Sequence, residues 1–287
     1  MISARESAAG YGGAIDRGGW RIRFEFETAA DYAARDEIIG AVLDACAGRG
    51  PQSLRRSRRG ATYCVRLQVG DFFVKLFDGR RGRGRLKRWL ASPPAAHIRT
   101  ISNALRRAGL HAPAVVMWGS EPASGRELVA TPRAPGVMLT RYLRALGRGE
   151  FARKRLLMRA IGAEIARLHR AGFIHGDLTP FNIIVEDGAM PQIWFIDHER
   201  TNRAPFFMLK RARLRNLVQL GHFSLAGLTY ADRMRVWSSY AAATSRQRGR
   251  GDLRRLSRML KSRVARDGAL ETIPPAAVPA RNQVREG

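Results

Sequence analysis

The sequence predicts an α+β protein with a β-rich N-terminal lobe and a helical C-terminal lobe. Trp20–Phe26 alternates apolar and charged residues, as a half-buried strand does. Helical periodicity is clearest over 151–171, where apolar residues recur every three or four positions and Gly172 follows. Strand-like segments come first and helical segments later, which is the order typical of α+β proteins.

The N-terminal lobe is assigned to residues 19–134, after a lead at 1–18 that lacks periodicity and is expected to be flexible. Two β-rich runs flank a short connection around Gly70 and predict an antiparallel hairpin. Alternation, helical spacing and flanking glycines predict the other elements of this lobe. They are a helix over 28–47, a basic turn over 55–60, hairpin strands over 61–69 and 72–77, a helix over 95–108, and strand-like runs over 110–119 and 127–136.

The C-terminal lobe is assigned to residues 135–270, and Pro135-Gly136 marks the expected boundary between the lobes. Three segments beyond Arg200 place apolar residues at helical spacing with arginines on the other faces. Residues 271–287 contain three prolines and are expected to form a flexible tail.

The composition is strongly basic. Lys and Arg number 51 against 24 Asp and Glu, which gives a formal net charge of +27. Such a charge attracts polyanions over long range, so nucleic acid, an anionic membrane and phosphorylated substrates all qualify as partners. The basic residues are spread from Arg21 to Arg285, and the charge alone therefore does not identify one partner.

The cysteine content and hydropathy indicate a cytoplasmic setting. Two cysteines, Cys46 and Cys64, cannot build a disulfide framework for a chain of 287 residues. The N-terminus has no apolar core of a signal peptide, and no run approaches the roughly 18 apolar residues of a spanning helix. Attachment to a membrane surface remains compatible with this pattern.

Polar residues with catalytic potential cluster in Phe173–Arg200. His175, Asp177 and Asn182 fall in one loop, and Asp197 follows a second apolar strand. Phosphoryl transfer needs a carboxylate that orients the acceptor hydroxyl and hard oxygen ligands for a divalent metal. Asp177 fits the first role, and Asn182 with Asp197 fits the second, with Mg²⁺ as the expected metal and ATP as the expected donor.

Residues that could bind the nucleotide phosphates lie upstream. Lys75 stands inside the second hairpin strand, where it is either a phosphate-binding cation or an edge-strand lysine that points to water. Arg58, Arg59 and Gly60 occupy the preceding turn, which has one glycine and two arginines. These arginines either contact phosphates or form a basic turn with no ligand.

Four segments carry a resemblance to a known family. They are IHGDLTPFNIIV, FIDHER, SRRGATYCVRLQVGDFFVKLF and NALRRAGLHAPAVV. Over roughly Arg55–Tyr240 the chain resembles the lipopolysaccharide kinase family of the protein-kinase-like superfamily, bacterial enzymes that phosphorylate Kdo or heptose in the lipid A core. The resemblance implies a bilobal protein-kinase-like fold, a catalytic loop at His175–Asn182 and a metal-binding aspartate at Asp197.

Two positions in the loop favour a small acceptor. Protein kinases typically have arginine at the position of Gly176 and lysine at the position of Thr179. Without that arginine, activation by loop phosphorylation is not expected, and the threonine is typical of sugar and small-molecule kinases. His175 is interpreted as a structural residue that fixes the loop through hydrogen bonds.

The chain also departs from the family in its N-terminal lobe. The family places a glutamate on the helix after the strand lysine, but residues 79–112 contain no glutamate. Lys75 is then either held by another acid, such as Glu121 or Glu127, or oriented by the nucleotide alone.

Three hypotheses follow. The first is an ATP- and Mg²⁺-dependent kinase, peripheral at the cytoplasmic face of the inner membrane, that phosphorylates a sugar hydroxyl of a lipid-linked anionic glycan. The second is a pseudokinase, a basic module that binds a membrane or, less favoured, nucleic acid. The third is a kinase for another small-molecule hydroxyl.

Overall fold

The structure is a computed structural model, and it divides the chain into two compact units. The first comprises residues 1–103 and 113–133, and the second comprises residues 104–112 and 134–287. The described residues are 3–7, 10–57, 60–79, 94–147, 149–205, 209–223, 228–244 and 250–267. The predicted tail at 271–287 therefore lies outside the described residues.

An eight-stranded antiparallel sheet forms the first unit, in the order β1-β2-β3-β7-β8-β6-β5-β4. The predicted hairpin is present as β5 and β6, and the connection at residues 68–69 precedes Gly70, which starts β6 with φ +138°. The strands of this sheet are β1 (Ser3–Ser7), β2 (Gly10–Arg17), β3 (Trp20–Phe26), β4 (Arg55–Ser57), β5 (Gly60–Leu67), β6 (Gly70–Phe77), β7 (Met117–Glu121) and β8 (Arg126–Pro132).

Three helices accompany the sheet in the described part of this unit. The segment predicted as one helix is two, α1 (Ala29–Ala33) and α2 (Arg35–Cys46), with Ala34 between them. Helix α2 contributes its apolar stripe to the main core of the unit, and α3 (Pro94–Arg107) contributes Ala95 and Ile98 to a second apolar cluster. Each cluster includes residues of the sheet, so both faces of the central strands are covered.

The expectation of a flexible lead was wrong for residues 10–17. These residues form β2, which pairs with β3 along its whole length. The segment lacks alternation because glycine is needed where the strands approach: a side chain at Gly13 would overlap the ring of Phe24. A glycine-rich strand of this kind carries no hydrophobic pattern that a sequence reading could detect.

Among the residues that the structure describes, the second unit combines five helices with two small sheets. Strands β9, β11 and β12 form a sheet in the order β12-β11-β9, and β10 pairs with β13. The strands are β9 (Val137–Met138), β10 (Phe173–Ile174), β11 (Ile183–Glu186), β12 (Gln192–Phe195) and β13 (Asn202–Arg203). The helices are α4 (Leu139–Ala145), α5 (Phe151–Arg170), α6 (Leu209–Gly221), α7 (Tyr230–Ala243) and α8 (Arg250–Asp267).

Helices α5 and α7 pack closely because glycine stands at their crossing. A Cβ atom at Gly162 of α5 would overlap the backbone carbonyl oxygen of Val236 and lie 2.9 Å from the Cβ atom of Ser239. The Ser239 hydroxyl donates a hydrogen bond of 2.7 Å to the Arg159 carbonyl across the same interface. This packing holds α5 in place, and α5 leads through Gly172 into β10 and the predicted catalytic loop.

We expect Gly162→Ala to lower the free energy of unfolding by about 1–3 kcal/mol, because the added methyl group overlaps a backbone atom that cannot rotate away. Gly40→Ala on α2 is the matched control, since the nearest atom to its added methyl group is the end of the Arg17 side chain at 3.9 Å. That control should be neutral or stabilise by up to about 1 kcal/mol. Urea titrations of both variants measure the change in the free energy of unfolding, and equal changes would contradict the close crossing of the two helices.

Candidate active site

The loop between β10 and β11 is held by the side-chain amide of Asn182. Its Nδ2 atom donates to the Asp177 carbonyl at 2.8 Å and to Asp177 Oδ2 at 3.3 Å. Asn182 is buried and ends the 3₁₀ turn Pro180–Asn182, whereas Asp177 is half-buried. The orientation of the Asp177 carboxylate is therefore fixed by a residue five positions later.

Asp197 lies two residues after the end of β12 and has an unusual backbone. It has φ 69° and ψ 62°, and among the non-glycine residues in the described ranges it alone has positive φ. The left-handed region costs an aspartate of order 1 kcal/mol, and such strain concentrates at functional sites. The Ile196 amide donates to the Asn182 carbonyl at 3.1 Å, which brings Asp197 next to the end of the loop that holds Asp177.

Gly176 has no room for a side chain. Its φ is +75°, and a Cβ atom there would overlap the carbonyl oxygen of Arg200. The sequence shows that glycine stands at this position, where protein kinases typically have arginine. The structure adds a steric reason, because even alanine would require the backbone at Arg200 to move.

Two buried histidines take part in the hydrogen bonds that hold the loop. His175 is fully buried, and its Nε2 atom hydrogen-bonds the Ile196 carbonyl at 3.0 Å. His198 bonds the Phe195 carbonyl at 2.9 Å, and the Thr201 hydroxyl donates to the His175 carbonyl at 3.1 Å. These contacts tie the loop to the segment that carries Asp197, which agrees with the positioning role predicted for His175. Glu199, which also lies in the segment after Asp197, is exposed.

Two amide side chains on α6 support the same loop, and the sequence analysis missed both. Asn216 Oδ1 accepts from the His175 amide at 3.0 Å, and Gln219 Nε2 donates to the Gly176 carbonyl at 2.9 Å. Asn216 Nδ2 also donates to Gln219 Oε1 at 2.9 Å. Two amides three residues apart on an otherwise apolar and basic helix were the available signal, because a buried amide needs specific partners.

Asn216 also joins the loop to α5 and α7 through His169. The Nε2 atom of His169 hydrogen-bonds Asn216 Oδ1 at 3.2 Å, and its Nδ1 atom bonds the Tyr240 hydroxyl at 3.0 Å. Burial lowers the pKa of His169 to about 3, so the ring is neutral at physiological pH. A neutral ring with a proton on Nε2 satisfies both contacts, since Nε2 then donates to the amide and Nδ1 accepts from the tyrosine.

Lys75 lies in the first unit, on a central strand. Strand β6 is paired on both sides, with β5 and β8, so the interpretation of Lys75 as an edge-strand lysine was wrong. The lysine is half-buried and shares its face of β6 with Phe77, which packs in the cluster beside α3. A lysine on a covered central strand needs an anionic environment.

The turn residues predicted to bind phosphate are described only in part. Arg58 and Arg59 lie outside the described residues. Gly60 begins β5 opposite Phe77 with φ +144°, and a Cβ atom there would overlap the carbonyl oxygen of Leu76. Glycine is thus required by strand packing at this position.

The two acids considered for Lys75 have different surroundings. Glu121 forms a two-pronged ion pair with Arg126, at 2.9 Å and 3.0 Å, and this pair lowers the pKa of Glu121. Glu127 accepts from the Ala95 amide at 3.0 Å at the start of α3. In the β6–β8 register Phe77 faces Glu127 and Lys75 faces Val129, so Glu127 is the diagonal neighbour of Lys75 on the same face.

The oxygen donors of the second unit fit a magnesium ion that also binds nucleotide phosphates. Asn182 uses its Nδ2 atom on Asp177, which leaves the amide oxygen as its other polar atom. Within the described ranges no group of three or more His, Cys, Asp or Glu side chains gathers to hold a metal. Mg²⁺ commonly takes one or two protein oxygens and completes its shell with phosphates and water, and the oxygen atoms of Asn182 and Asp197 are of the type that this ion binds.

The first unit is rich in β-strands and the second is mainly helical. In the second unit, one loop carries an aspartate and an asparagine, and a second aspartate follows a strand. Together these features define a protein-kinase-like phosphotransferase. The lipopolysaccharide kinase (Kdo/WaaP) family matches residues 55–240, which is more than half of the chain. The chain belongs to this family.

Curated relatives match over shorter stretches. A probable bifunctional tRNA threonylcarbamoyladenosine biosynthesis protein of Thermoplasma acidophilum is 38% identical over 88 residues, 31% of this chain and 15% of that protein. A probable serine/threonine-protein kinase BUD32 homolog of Archaeoglobus fulgidus is 49% identical over 39 residues, 14% of this chain and 18% of that protein. An EKC/KEOPS complex subunit of Schizosaccharomyces pombe is 39% identical over 57 residues, 20% of this chain and 24% of that protein. The chain thus spans less than a quarter of each of these relatives.

Among solved structures, the PknI kinase domain of Mycobacterium tuberculosis is similar at 14% identity, with a TM-score of 0.37. The match covers 72% of this chain and 94% of that domain. None of the described helices is both long and apolar enough to cross a bilayer.

The free energy of unfolding should fall as the pH falls below about 6.5, because His169 then takes up a proton in the unfolded chain but not in the folded one. Between pH 6.5 and its folded pKa of about 3, this histidine contributes a slope of up to about 1.4 kcal/mol per pH unit. Urea titrations between about pH 7.5 and 5.5 measure the slope in a range where most carboxylates stay ionised.

His169→Gln should be less stable at neutral pH and show a shallower dependence on pH. His97→Gln, which changes a half-buried histidine of α3, is the matched control for the loss of a histidine. A slope that survives in His169→Gln would mean that another group causes it.

Proposed function

We propose that this protein transfers the γ-phosphoryl group of ATP to a sugar hydroxyl of the lipopolysaccharide core or a related anionic glycolipid. The observation that carries the proposal is the set of hydrogen bonds that Asn182 makes with Asp177 and with Ile196, the residue before Asp197, in a chain of the lipopolysaccharide kinase family. The net charge of +27 supports an acceptor rich in phosphate or carboxylate.

Asp177 is the residue proposed to act on the acceptor. Its carboxylate orients the sugar hydroxyl and accepts its proton as the new bond from that oxygen to the γ-phosphorus forms. The bond from the γ-phosphorus to the bridging oxygen breaks in the same transfer, and ADP leaves. The amide of Asn182 keeps the carboxylate in position, so little reorganisation is needed during the step.

Asn182 and Asp197 are proposed to hold Mg²⁺, which neutralises charge on the nucleotide phosphates when bound. The left-handed backbone of Asp197 directs its carboxylate from the end of β12. Lys75 is proposed to contact the nucleotide phosphates, together with Arg58, Arg59 and Gly60.

Glu127 is proposed to orient Lys75 in place of the glutamate that α3 lacks. Its position on β8 is diagonal to Lys75 on one face of the sheet, and its contact with the Ala95 amide fixes the carboxylate at the start of α3. Glu121 is the weaker candidate because Arg126 already binds both of its oxygens.

A serine or threonine hydroxyl of a protein is the second candidate acceptor. The observation in its favour is the local match to the archaeal protein named as a probable serine/threonine-protein kinase. The match covers 14% of the chain, whereas the lipopolysaccharide kinase family covers residues 55–240. Gly176 and Thr179 differ from the arginine and lysine typical of protein kinases, which favours the sugar acceptor.

We expect Mg-ATP to raise the melting temperature of the wild-type protein and of Asp177→Ala, but not that of Asp197→Ala, since only the last change removes a metal ligand. Transfer of labelled phosphate to lipopolysaccharide lacking core phosphates should fall by at least about 100-fold in Asp177→Ala. A protein acceptor such as casein and a reaction without acceptor serve as comparisons.

Each outcome separates the candidate functions. Labelling of protein but not glycolipid would replace the sugar acceptor with a protein hydroxyl. A thermal shift without turnover on any acceptor would identify a pseudokinase. Absence of a thermal shift in the wild type would contradict the proposed nucleotide-binding site.

A double-mutant cycle tests the proposed pairing of Glu127 with Lys75. Lys75→Met and Glu127→Gln should each weaken Mg-ATP binding, and the double variant should be no weaker than Lys75→Met by more than about twofold. Glutamine retains an oxygen for the Ala95 amide, so the start of α3 is preserved. Glu121→Gln is the matched control, and its effect should add to that of Lys75→Met. Additive effects of Glu127→Gln would mean that it does not act through the lysine.

A further inference from the structure

The segment that ends in β13 runs alongside the chain that enters the catalytic loop. Strand β13 pairs antiparallel with β10. The pairing continues past the ends of both strands, because the Thr201 hydroxyl donates to the His175 carbonyl at 3.1 Å. One residue further in the same register, Arg200 lies opposite Gly176, the residue before Asp177.

Arg200 is in direct contact with Gly176. A Cβ atom at Gly176 would lie 2.8 Å from the Cβ atom of Arg200 and would overlap the Arg200 carbonyl oxygen. The side-chain amide of Asn202 donates to that carbonyl at 2.9 Å, and the Gly176 carbonyl accepts from Gln219 at 2.9 Å. Both backbones are therefore held in place, and the Arg200 side chain begins beside the residue that precedes Asp177.

The guanidinium of Arg200 is not engaged by the described acids. Arg200 is exposed, and none of the ion pairs among the described residues includes it. Its exposed neighbour Glu199 interacts with other groups. Asp177 forms no ion pair with Arg200 either, so the cation and the carboxylate are both available to a ligand.

Other arginines of this region are used by the fold itself. The guanidinium of Arg203 lies over the Phe173 ring at 4.8 Å, and that of Arg213 donates to the His169 carbonyl at 2.7 Å. Arg200 differs from both, because its backbone is attached to the loop whereas its side chain is exposed. Binding residues are typically placed in this way, on a segment that a rigid scaffold positions.

Arg200 also supplies a cation that the loop itself cannot carry. Protein kinases typically have arginine at the position of Gly176, and the backbone of Arg200 occupies the space where that side chain would begin. The positive charge next to Asp177 therefore comes from the opposite segment of the pair.

We propose that Arg200 binds an oxyanion of the acceptor, a carboxylate or a phosphate, that lies near the hydroxyl oriented by Asp177. A guanidinium binds such a group through two parallel hydrogen bonds, which fix the orientation of the ligand as well as its distance. Arg200 thereby selects an anionic sugar and turns its hydroxyl toward Asp177. The proposal deepens the proposed function and rests on it, because it takes Asp177 as the residue that receives the acceptor.

The acceptor is favoured over ATP as the source of this oxyanion. The nucleotide phosphates already have Lys75 and Mg²⁺ as their proposed cations, whereas the acceptor has none. Asn182, a proposed metal ligand, follows Asp177 by five positions, and Arg200 contacts the residue on the other side of Asp177 in the chain.

Chemical footprinting tests the proposal without turnover. Phenylglyoxal modifies accessible guanidinium groups, and mass spectrometry of the peptides reports each arginine separately. A deacylated core oligosaccharide at ten times its Kd should slow the modification of Arg200 by about tenfold. Modification of Arg254, an exposed arginine of α8, should not change. Mg-ATP alone should protect neither residue, and protection of Arg200 by Mg-ATP alone would overturn the assignment to the acceptor.

Two treatments of the oligosaccharide identify the oxyanion. Methyl esterification neutralises its carboxylates, and a phosphatase removes its phosphates. Loss of protection after one treatment assigns the group that Arg200 binds. Protection of Arg200 that persists after both treatments would overturn the proposal.

Kinetics of an Arg200 variant provide a second test. Arg200→Gln should raise the KM for the oligosaccharide by at least about tenfold, because a charge-assisted contact is lost. The KM for ATP should stay within about twofold of the wild-type value. Arg200→Lys should recover only part of the loss, since an ammonium lacks the two-pronged geometry.

Arg254→Gln is the matched control, because it removes the same charge from an exposed arginine of α8. It should leave both KM values unchanged, and all three variants should keep the wild-type melting temperature. An equal rise in the KM for the oligosaccharide in Arg254→Gln and Arg200→Gln would reduce the effect to net charge and overturn the proposal.

Two outcomes separate this proposal from the proposed function. If the oligosaccharide protects Arg200 but no phosphate is transferred from Mg-ATP to any acceptor, the kinase proposal fails and the binding of the oxyanion stands. If the wild type transfers phosphate and Arg200→Gln keeps the wild-type KM for the oligosaccharide, the role of Arg200 fails and the kinase proposal stands.

Discussion

The hydrogen bonds of the Asn182 amide are the constraint on which the candidate site depends. Its Nδ2 atom fixes Asp177 within the loop, and its backbone carbonyl holds the residue before Asp197. One buried residue therefore contacts both the Asp177 carboxylate and the backbone of the residue before Asp197, twenty positions after Asp177. Side chains with preorganised geometry are what phosphoryl transfer requires, because the chemistry itself asks little of the protein.

This arrangement is supported by a continuous buried network of polar groups. Asn216 contacts the loop backbone and His169, and His169 contacts Tyr240, so α5, α6 and α7 all support the loop. Each member is satisfied by another, which keeps the cost of burying polar groups low. Because the network is shared among three helices, the loop position depends on their mutual packing, including the crossing at Gly162.

Local patterns predicted much of the fold and the loop that carries Asp177, but not the long-range contacts. The hairpin, α3, α5 and the loop at Asp177 follow from alternation, helical spacing and glycine placement within short windows. Strand β2 was missed because Gly13 makes room for the ring of Phe24 on the neighbouring strand, and this contact leaves no alternation of apolar and polar residues in the sequence of β2. Sheet order placed Lys75 on a central strand, and sequence alone does not fix sheet order. Asn216 and Gln219 were missed because tertiary contacts define their role.

The lack of space for a side chain at Gly176 limits how the activity of this chain can be regulated. An arginine at this position would have to displace the backbone of Arg200, so no single codon change can supply a receptor for a phosphorylated segment. A phosphorylated segment that docks through this position is therefore not available to the chain unless the backbone at Arg200 moves.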